Sequence, residues 1–149
     1  MEFEQIKLII WDLDETLWKG TLSEGDVILS DINKLLIFNL VNSGVMCSIC
    51  SKNDPNQVSD FLNKEGLEDL FVFKSVNWSP KGKRVQEIIT QMNLRQPNVM
   101  FIDDNPSNRA EVSNCCPEVT VEDVDVIPLL IDFFSKRNYI DPTHDRLKR

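Results

Sequence analysis

Several things are scarce in this sequence, and each scarcity excludes a class of function. No apolar run approaches the roughly 20 residues needed to span a bilayer. The start, Met1-Glu2-Phe3-Glu4-Gln5, lacks the basic residues and small-residue cleavage site of a secretory signal. The expectation is a cytoplasmic protein that does not enter membranes. Positive charge is also in deficit: 16 Lys plus Arg against 24 Asp plus Glu leave a formal net charge of −8. Such a surface is a poor general partner for nucleic acid or anionic lipid, although a small cationic site for an anionic substrate is compatible with it. There is one histidine, His144, and there are four cysteines, so a His/Cys zinc centre is short of ligands. Cys47 and Cys50 have C-x-x-C spacing, but Gly44 to Cys50 reads as a buried strand, where residues three apart face opposite ways. Cys115-Cys116 precede Pro117 at an expected helix end. All four read as thiols of a reducing compartment. Internal repeats, low-complexity tracts and interdomain linkers are absent too.

What is present is one ordinary globular domain. The chain has 149 residues, 42% apolar and 27% charged, a normal balance for a single core. Residues 1–140 are expected to form it, with 141–149 as a solvated, weakly basic tail carrying Arg146, Lys148 and Arg149. Short apolar runs at Lys7–Trp11, Gly44–Cys50, Leu70–Phe73, Val99–Ile102 and Val119–Val121 read as strands. Helical spacing falls between them: Ile32, Leu35, Leu36 and Leu40; Val58, Phe61 and Leu62; Val85, Ile88, Ile89 and Met92; Ile127, Leu130, Ile131 and Phe134. Asp54-Pro55, Ser79-Pro80 and Asn105-Pro106 supply helix starts, while Gly44 and Gly66 supply stops. The alternation predicts an α/β fold, a doubly wound and mostly parallel five-stranded sheet with helices on both faces.

Two acidic motifs stand where strands end. Asp12-Leu13-Asp14-Glu15-Thr16 follows the first strand and Asp103-Asp104-Asn105 the fourth. Open α/β sheets bind ligands outside the carboxyl ends of their strands. Paired carboxylates there repel by about 1 kcal/mol at 4 Å in water, and about 4 at an effective dielectric near 20. Magnesium relieves this, since it takes one or two carboxylates and bridges to phosphate oxygens. Either motif alone is an ordinary polar turn with a helix cap; together they read as a metal site that handles an anion. Ser51, opening Ser51-Lys52-Asn53-Asp54 before a helix, can donate to phosphoryl oxygens. Lys81, Lys83 and Arg84 lie together on the first turns of a helix. One of them can reach the site while the others stay in solvent, and spacing does not choose among them.

These residues resemble the haloacid dehalogenase superfamily of magnesium-dependent phosphotransferases. Leu8 to Leu17 is similar to its first motif, a strand followed by D-x-D-x-[TV]; Ser51, Lys81 and Asp103-Asp104 match the second, third and fourth in order. The resemblance implies a Rossmann-like core in which Asp12 is the nucleophile that forms an aspartyl-phosphate. Asp14 is then the acid and base, and Ser51 and Lys81 hold the phosphoryl group. It also implies that Asp12, the Asp14 backbone carbonyl and Asp104 hold Mg2+ with Asp103 in support, that Thr16 fixes the loop, and that Asn53 joins Ser51 in binding substrate.

Trp18, Gly20, Cys50–Asn53, Trp78–Lys81 and Phe101–Pro106 further resemble the capless FkbH-like domains and magnesium-dependent phosphatase-like proteins. That likeness implies an alternative role, loading a glyceryl group from 1,3-bisphosphoglycerate onto an acyl carrier protein, with Cys50 as the matching acyl-carrying thiol. Family caps are inserted after the first motif or between the second and third. Both intervals are short here, so no cap domain and an open site are expected, suited to a phosphorylated small molecule or a protein-borne phosphate. A receiver-type phosphoacceptor module is disfavoured, because its third strand ends in an aspartate, and here the corresponding residues are Lys74-Ser75.

Overall fold

The computed structural model describes residues 2–137; the expected tail, with His144, and the 140/141 boundary lie outside them. The strands are β1 (Leu8–Trp11), β2 (Met46–Lys52), β3 (Phe71–Asn77), β4 (Val99–Ile102) and β5 (Thr120–Glu122). They alternate with α1 (Asp31–Asn42), α2 (Pro55–Glu65), α3 (Lys81–Gln91), α4 (Pro106–Cys115) and α5 (Val126–Arg137). All five strands pair in parallel, in the order β3-β2-β1-β4-β5. No described helix is long and apolar enough to cross a membrane.

The period-two alternation of the strands divides the core. Ile9, Trp11, Cys47, Ile49, Met100 and Ile102 face α1, α2 and α5, whereas Leu8, Ile10, Cys50, Val99 and Phe101 face α3 and α4. Both faces are therefore covered, which is why β1 and β4 are apolar at every position. Cys47 and Cys50 fall on opposite faces and all four cysteines are free thiols. Local chemistry sets the helix starts. Asp54 accepts from the Asn56 and Gln57 N–H groups and Asn105 from those of Ser107 and Asn108, each ahead of a proline in the first turn. Gly66 ends α2 at φ 75°, a left-handed turn where a side chain would be strained.

Four expectations are corrected. The inward residues of α1 are Leu36, Ile37 and Leu40, while Ile32 and Leu35 are 60% and 57% exposed. Steps of four residues drift around a helix, so a row running from 32 through 36 to 40 does not stay against the sheet along its whole length. Strand β3 continues past Phe73 to Asn77, because an edge strand with one open side accepts polar residues that an apolar-run criterion discards. Strand β5 is offset by one residue from Val119–Val121. Ser79 does not cap α3. The cap position is Pro80, which offers no side-chain acceptor, and Glu111 of α4 accepts from the Gly82 N–H at 2.7 Å instead.

Candidate active site

The chain reverses its winding between β1 and β4, which are neighbours although far apart in sequence. Their last residues, Trp11 and Ile102, are in register, so Asp12 and Asp103 leave the sheet side by side. The Asp12 N–H donates to the Ile102 carbonyl at 3.0 Å, and the Asp103 N–H to that of Glu122 at 3.1 Å. Oxygens of Asp12, Asp103 and Asp104 then lie within 4.8 Å of one another and could hold a metal ion. A crevice outside the carboxyl ends of strands at a switch point is the general ligand site of such sheets.

One cation of the chain already sits between two of these acids. Lys81 Nζ donates to Asp12 Oδ1 at 2.8 Å and to Asp103 Oδ2 at 2.6 Å, and its side chain is 1% exposed. Burial pushes the Asp12 carboxyl up to about 7, against the pull of Lys81 and with a further push from Asp103. Burial works against the Lys81 ammonium, but the two carboxylates outweigh it and hold the group above its ordinary value. Three carboxylates and one ammonium sum to −2, the complement of a divalent cation, and an all-oxygen donor set suits a hard one.

Thr16 ties the two acidic loops together. Its Oγ1 donates to Asp12 Oδ2 at 2.8 Å, lies 3.1 Å from Asp104 Oδ1 and accepts from the Asp104 N–H at 3.1 Å. Asp103 is fully buried and also accepts from the Asn105 N–H at 2.9 Å, so Asp104 is the more accessible of the pair.

The Asp14 carboxylate stands outside the three-acid group. It accepts from Trp18 Nε1 at 2.9 Å, the Leu22 N–H at 3.0 Å and Asn53 Nδ2 at 3.0 Å. Asn53, expected to bind substrate, spends its amide on Asp14 and lies 3.4 Å from Ser51 Oγ. Ser51 itself is buried near the end of β2, the strand that pairs with β1. Cys50 is fully buried among Val85, Ile88 and Phe101, and burial pushes its thiol up to about 11, so the proposed acyl carrier is neither exposed nor ionised.

Two residues named in the sequence have roles that the sequence did not show. Trp18 bonds Asp14 from four positions on, and nothing in its spacing marks an indole for that task. Arg84 was treated as interchangeable with Lys81 and Lys83, yet it is buried beside Ser51. Its position three residues after Lys81, on the same helix face, is the signal that could have found it. Between Trp18 and α1 the chain forms only a one-turn 3-10 helix at Leu22–Glu24 and an antiparallel bridge between Lys19 and Ile28. A hollow of about 420 Å3 lined by Leu17, Trp18, Ile28, Val124 and Ile127 opens beside Thr16. Another hollow, of about 610 Å3 between α3 and α4, touches none of the clustered acids.

The sequence matches no protein-family model, and no curated protein matches it. Solved structures do resemble it. The N-terminal part of a Bacteroides fragilis protein, containing a phosphatase domain and complexed with Mg, is 24% identical with a TM-score of 0.70. That alignment covers 78% of this chain and 35% of the other, so the present chain spans about a third of that N-terminal part. A haloacid dehalogenase-superfamily hydrolase from Ehrlichia chaffeensis is 12% identical with a TM-score of 0.68, over 89% of this chain and 97% of that one. The 3-deoxy-D-manno-octulosonate 8-phosphate phosphatase of Moraxella catarrhalis, in complex with magnesium, phosphate and the sugar acid, is 19% identical. Its TM-score is 0.56, over 68% of this chain and 59% of that one. At these identities the likeness speaks for architecture: the chain has the fold of haloacid dehalogenase-superfamily hydrolases.

Proposed function

We propose that the protein is a magnesium-dependent phosphatase acting on an accessible phosphate monoester through an aspartyl-phosphate on Asp12. The observation that carries this reading is the charge arrangement at the switch point, where Asp12 and Asp103 share a buried Lys81 and Asp104 completes a group of three carboxylates. The donor set fits magnesium on charge and ligand type, and two of the structural neighbours described above were crystallised with it. Asp12, Asp104 and the Asp14 backbone carbonyl would hold the ion, which when bound supplies charge neutralisation for the phosphoryl oxygens.

The rest of the chemistry belongs to the chain's own groups. Asp12 Oδ attacks phosphorus, forming the acyl phosphate as the ester oxygen departs. Thr16, donating to the other Asp12 oxygen, fixes which oxygen faces the substrate. Asp14 gives a proton to the departing oxygen and then takes one from the water that hydrolyses the intermediate. The donors from Trp18, Leu22 and Asn53 orient it for both steps. Ser51 and Lys81 steady the equatorial phosphoryl oxygens, the interaction that dominates phosphoryl transfer.

The short excursion between Trp18 and α1 supports an open, capless site. Glyceryl loading onto a carrier protein needs a reachable thiol, and the burial of Cys50 favours hydrolysis over it. The test is release of phosphate from p-nitrophenyl phosphate and a panel of phosphometabolites, with and without magnesium. Turnover that needs the metal and disappears in Asp12→Asn supports the reading; full turnover in Asp12→Asn refutes it.

A further inference from the structure

Among the described residues the buried charged side chains are Asp12, Lys81, Arg84 and Asp103, and only Arg84 has no part in the chemistry above. Its guanidinium makes five hydrogen bonds. Nη2 donates to the carbonyls of Ser51 at 2.8 Å and Ser75 at 2.6 Å. Nη1 donates to the carbonyls of Ser79 at 2.8 Å and Asn77 at 3.4 Å, and Nε to Ser75 Oγ at 3.0 Å. Five bonds match its five N–H donors. No described carboxylate lies within ion-pair distance of it, so its charge is buried against four backbone carbonyl bonds and one hydroxyl.

Strand pairing does not require this clamp. Strands β2 and β3 are already in register through Ser51 with Val76 and Lys52 with Asn77. What Arg84 adds is a tie across the end of the sheet. It joins the backbone of Ser51, at the tip of β2, to Ser79, in the turn that leads two residues later into Lys81. Burying an unpaired cation is costly, and its retention in this place calls for a purpose that a neutral side chain would not serve.

We propose that Arg84 is a positioning residue for phosphoryl transfer. Its guanidinium holds the Ser51 and Lys81 segments at one spacing, so that both donors meet the same phosphoryl group. The planar fork matters, because a single ammonium cannot reach the Ser51 and Ser79 carbonyls at once. This proposal rests on the phosphatase reading.

The experiment compares wild type, Arg84→Lys and Arg84→Met in three measurements with magnesium present: turnover of p-nitrophenyl phosphate, inhibition by orthovanadate, and the rise in melting temperature on adding the metal. A misplacement on the order of 1 Å costs about 100-fold in rate. The expected result is a loss of kcat of that order in both variants, with little change in KM and orthovanadate inhibition weakened in step. The magnesium-induced melting shift stays at the wild-type value, because Thr16 and the strand ends hold the acids. Wild-type kcat and orthovanadate affinity in Arg84→Lys overturn the proposal, since charge alone then suffices. A magnesium response lost in parallel with turnover, or failure of both variants to fold, assigns Arg84 to general stability and overturns it too. If Arg84→Met alone fails to fold, Arg84→Lys decides. A wild type that neither turns over substrate nor binds orthovanadate refutes the phosphatase reading itself, a result separate from any difference among the variants.

Discussion

Replacing Lys81 by methionine keeps the length of the side chain and removes the charge that Asp12 and Asp103 share. Oxygens of those carboxylates lie within 4.8 Å of each other, a separation at which two unit charges repel by about 3 kcal/mol at an effective dielectric near 20. Breaking a buried ion pair by removing one partner generally costs about 3–5 kcal/mol, because the other charge is left without compensation. The two figures agree. For a chain of this size each kcal/mol corresponds to roughly 2–4 °C in melting temperature. Lys81→Met is therefore expected to melt on the order of 10 °C below wild type at pH 8 in EDTA.

Two conditions should close the gap. Without the ammonium, the Asp12 carboxyl, already pushed up by burial, loses the group that pulls it down. Stability from such a group is present below its unfolded pKa and is lost as pH rises through the folded one. The deficit should consequently shrink at pH 5, where one carboxyl is protonated. Saturating magnesium should narrow it at pH 8 by supplying the missing positive charge, so the variant's metal-induced shift exceeds that of wild type. Thermal melts at both pH values, with EDTA or magnesium, provide the measurement. A deficit that is the same in all four conditions would refute the electrostatic account and leave packing as the role of Lys81.

Asp12→Asn should lose phosphatase activity yet melt a few degrees higher than wild type at pH 8 in EDTA, because an ionised Asp12 is held against a pKa pushed up to about 7; an unchanged or lower melting temperature contradicts that strain. If the Asp12 carboxylate is a ligand, magnesium affinity by calorimetry should rise about tenfold per pH unit below pH 7, with one proton released per ion bound there, and level off above it; a flat profile between pH 5 and 7 counts against Asp12 as a ligand. In Gly82→Ala the added methyl meets Cys115 Cβ at 3.1 Å and the Glu111 carbonyl at 3.2 Å. Overpacking of this kind costs about 1–3 kcal/mol, readable by urea denaturation, and wild-type stability there would show that α3 and α4 can part freely.

How far the sequence could be read depended on how local each signal was. Strand β4 was legible to the residue, because burial on both faces leaves four consecutive apolar side chains with no alternative. Strand β3 was truncated because an edge position relaxes that demand. The starts of α2 and α4 were legible in the Asp54-Pro55 and Asn105-Pro106 pairs, whose caps bind within their own first turn. The start of α3 was not, since its cap comes from Glu111 on another helix. The acids were visible as motifs, but what they do to one another was not. That Lys81 joins Asp12 to Asp103 depends on β1 and β4 being neighbours, a fact of sheet order. Arg84 fails for the same reason: its partners come from β2, β3 and the following turn, and no window of sequence contains them all.

The buried charges also explain why this arrangement belongs at a switch point. Asp12, Asp103 and Lys81 are removed from water where the neighbouring strands β1 and β4 end. With all three acids ionised, Asp12, Asp103, Asp104 and Lys81 carry a net −2, and two of those acids are fully or nearly fully buried. A self-contained structural core would settle that imbalance with a second lysine or with neutral residues. Keeping it costs stability that a bound cation would restore, so the same feature that weakens the fold would favour cation binding. Functional sites commonly hold such strain against the stability of the rest of the domain. Here the rest includes apolar strands β1 and β4 packed on both faces, which can tolerate an unbalanced group at their ends without losing register.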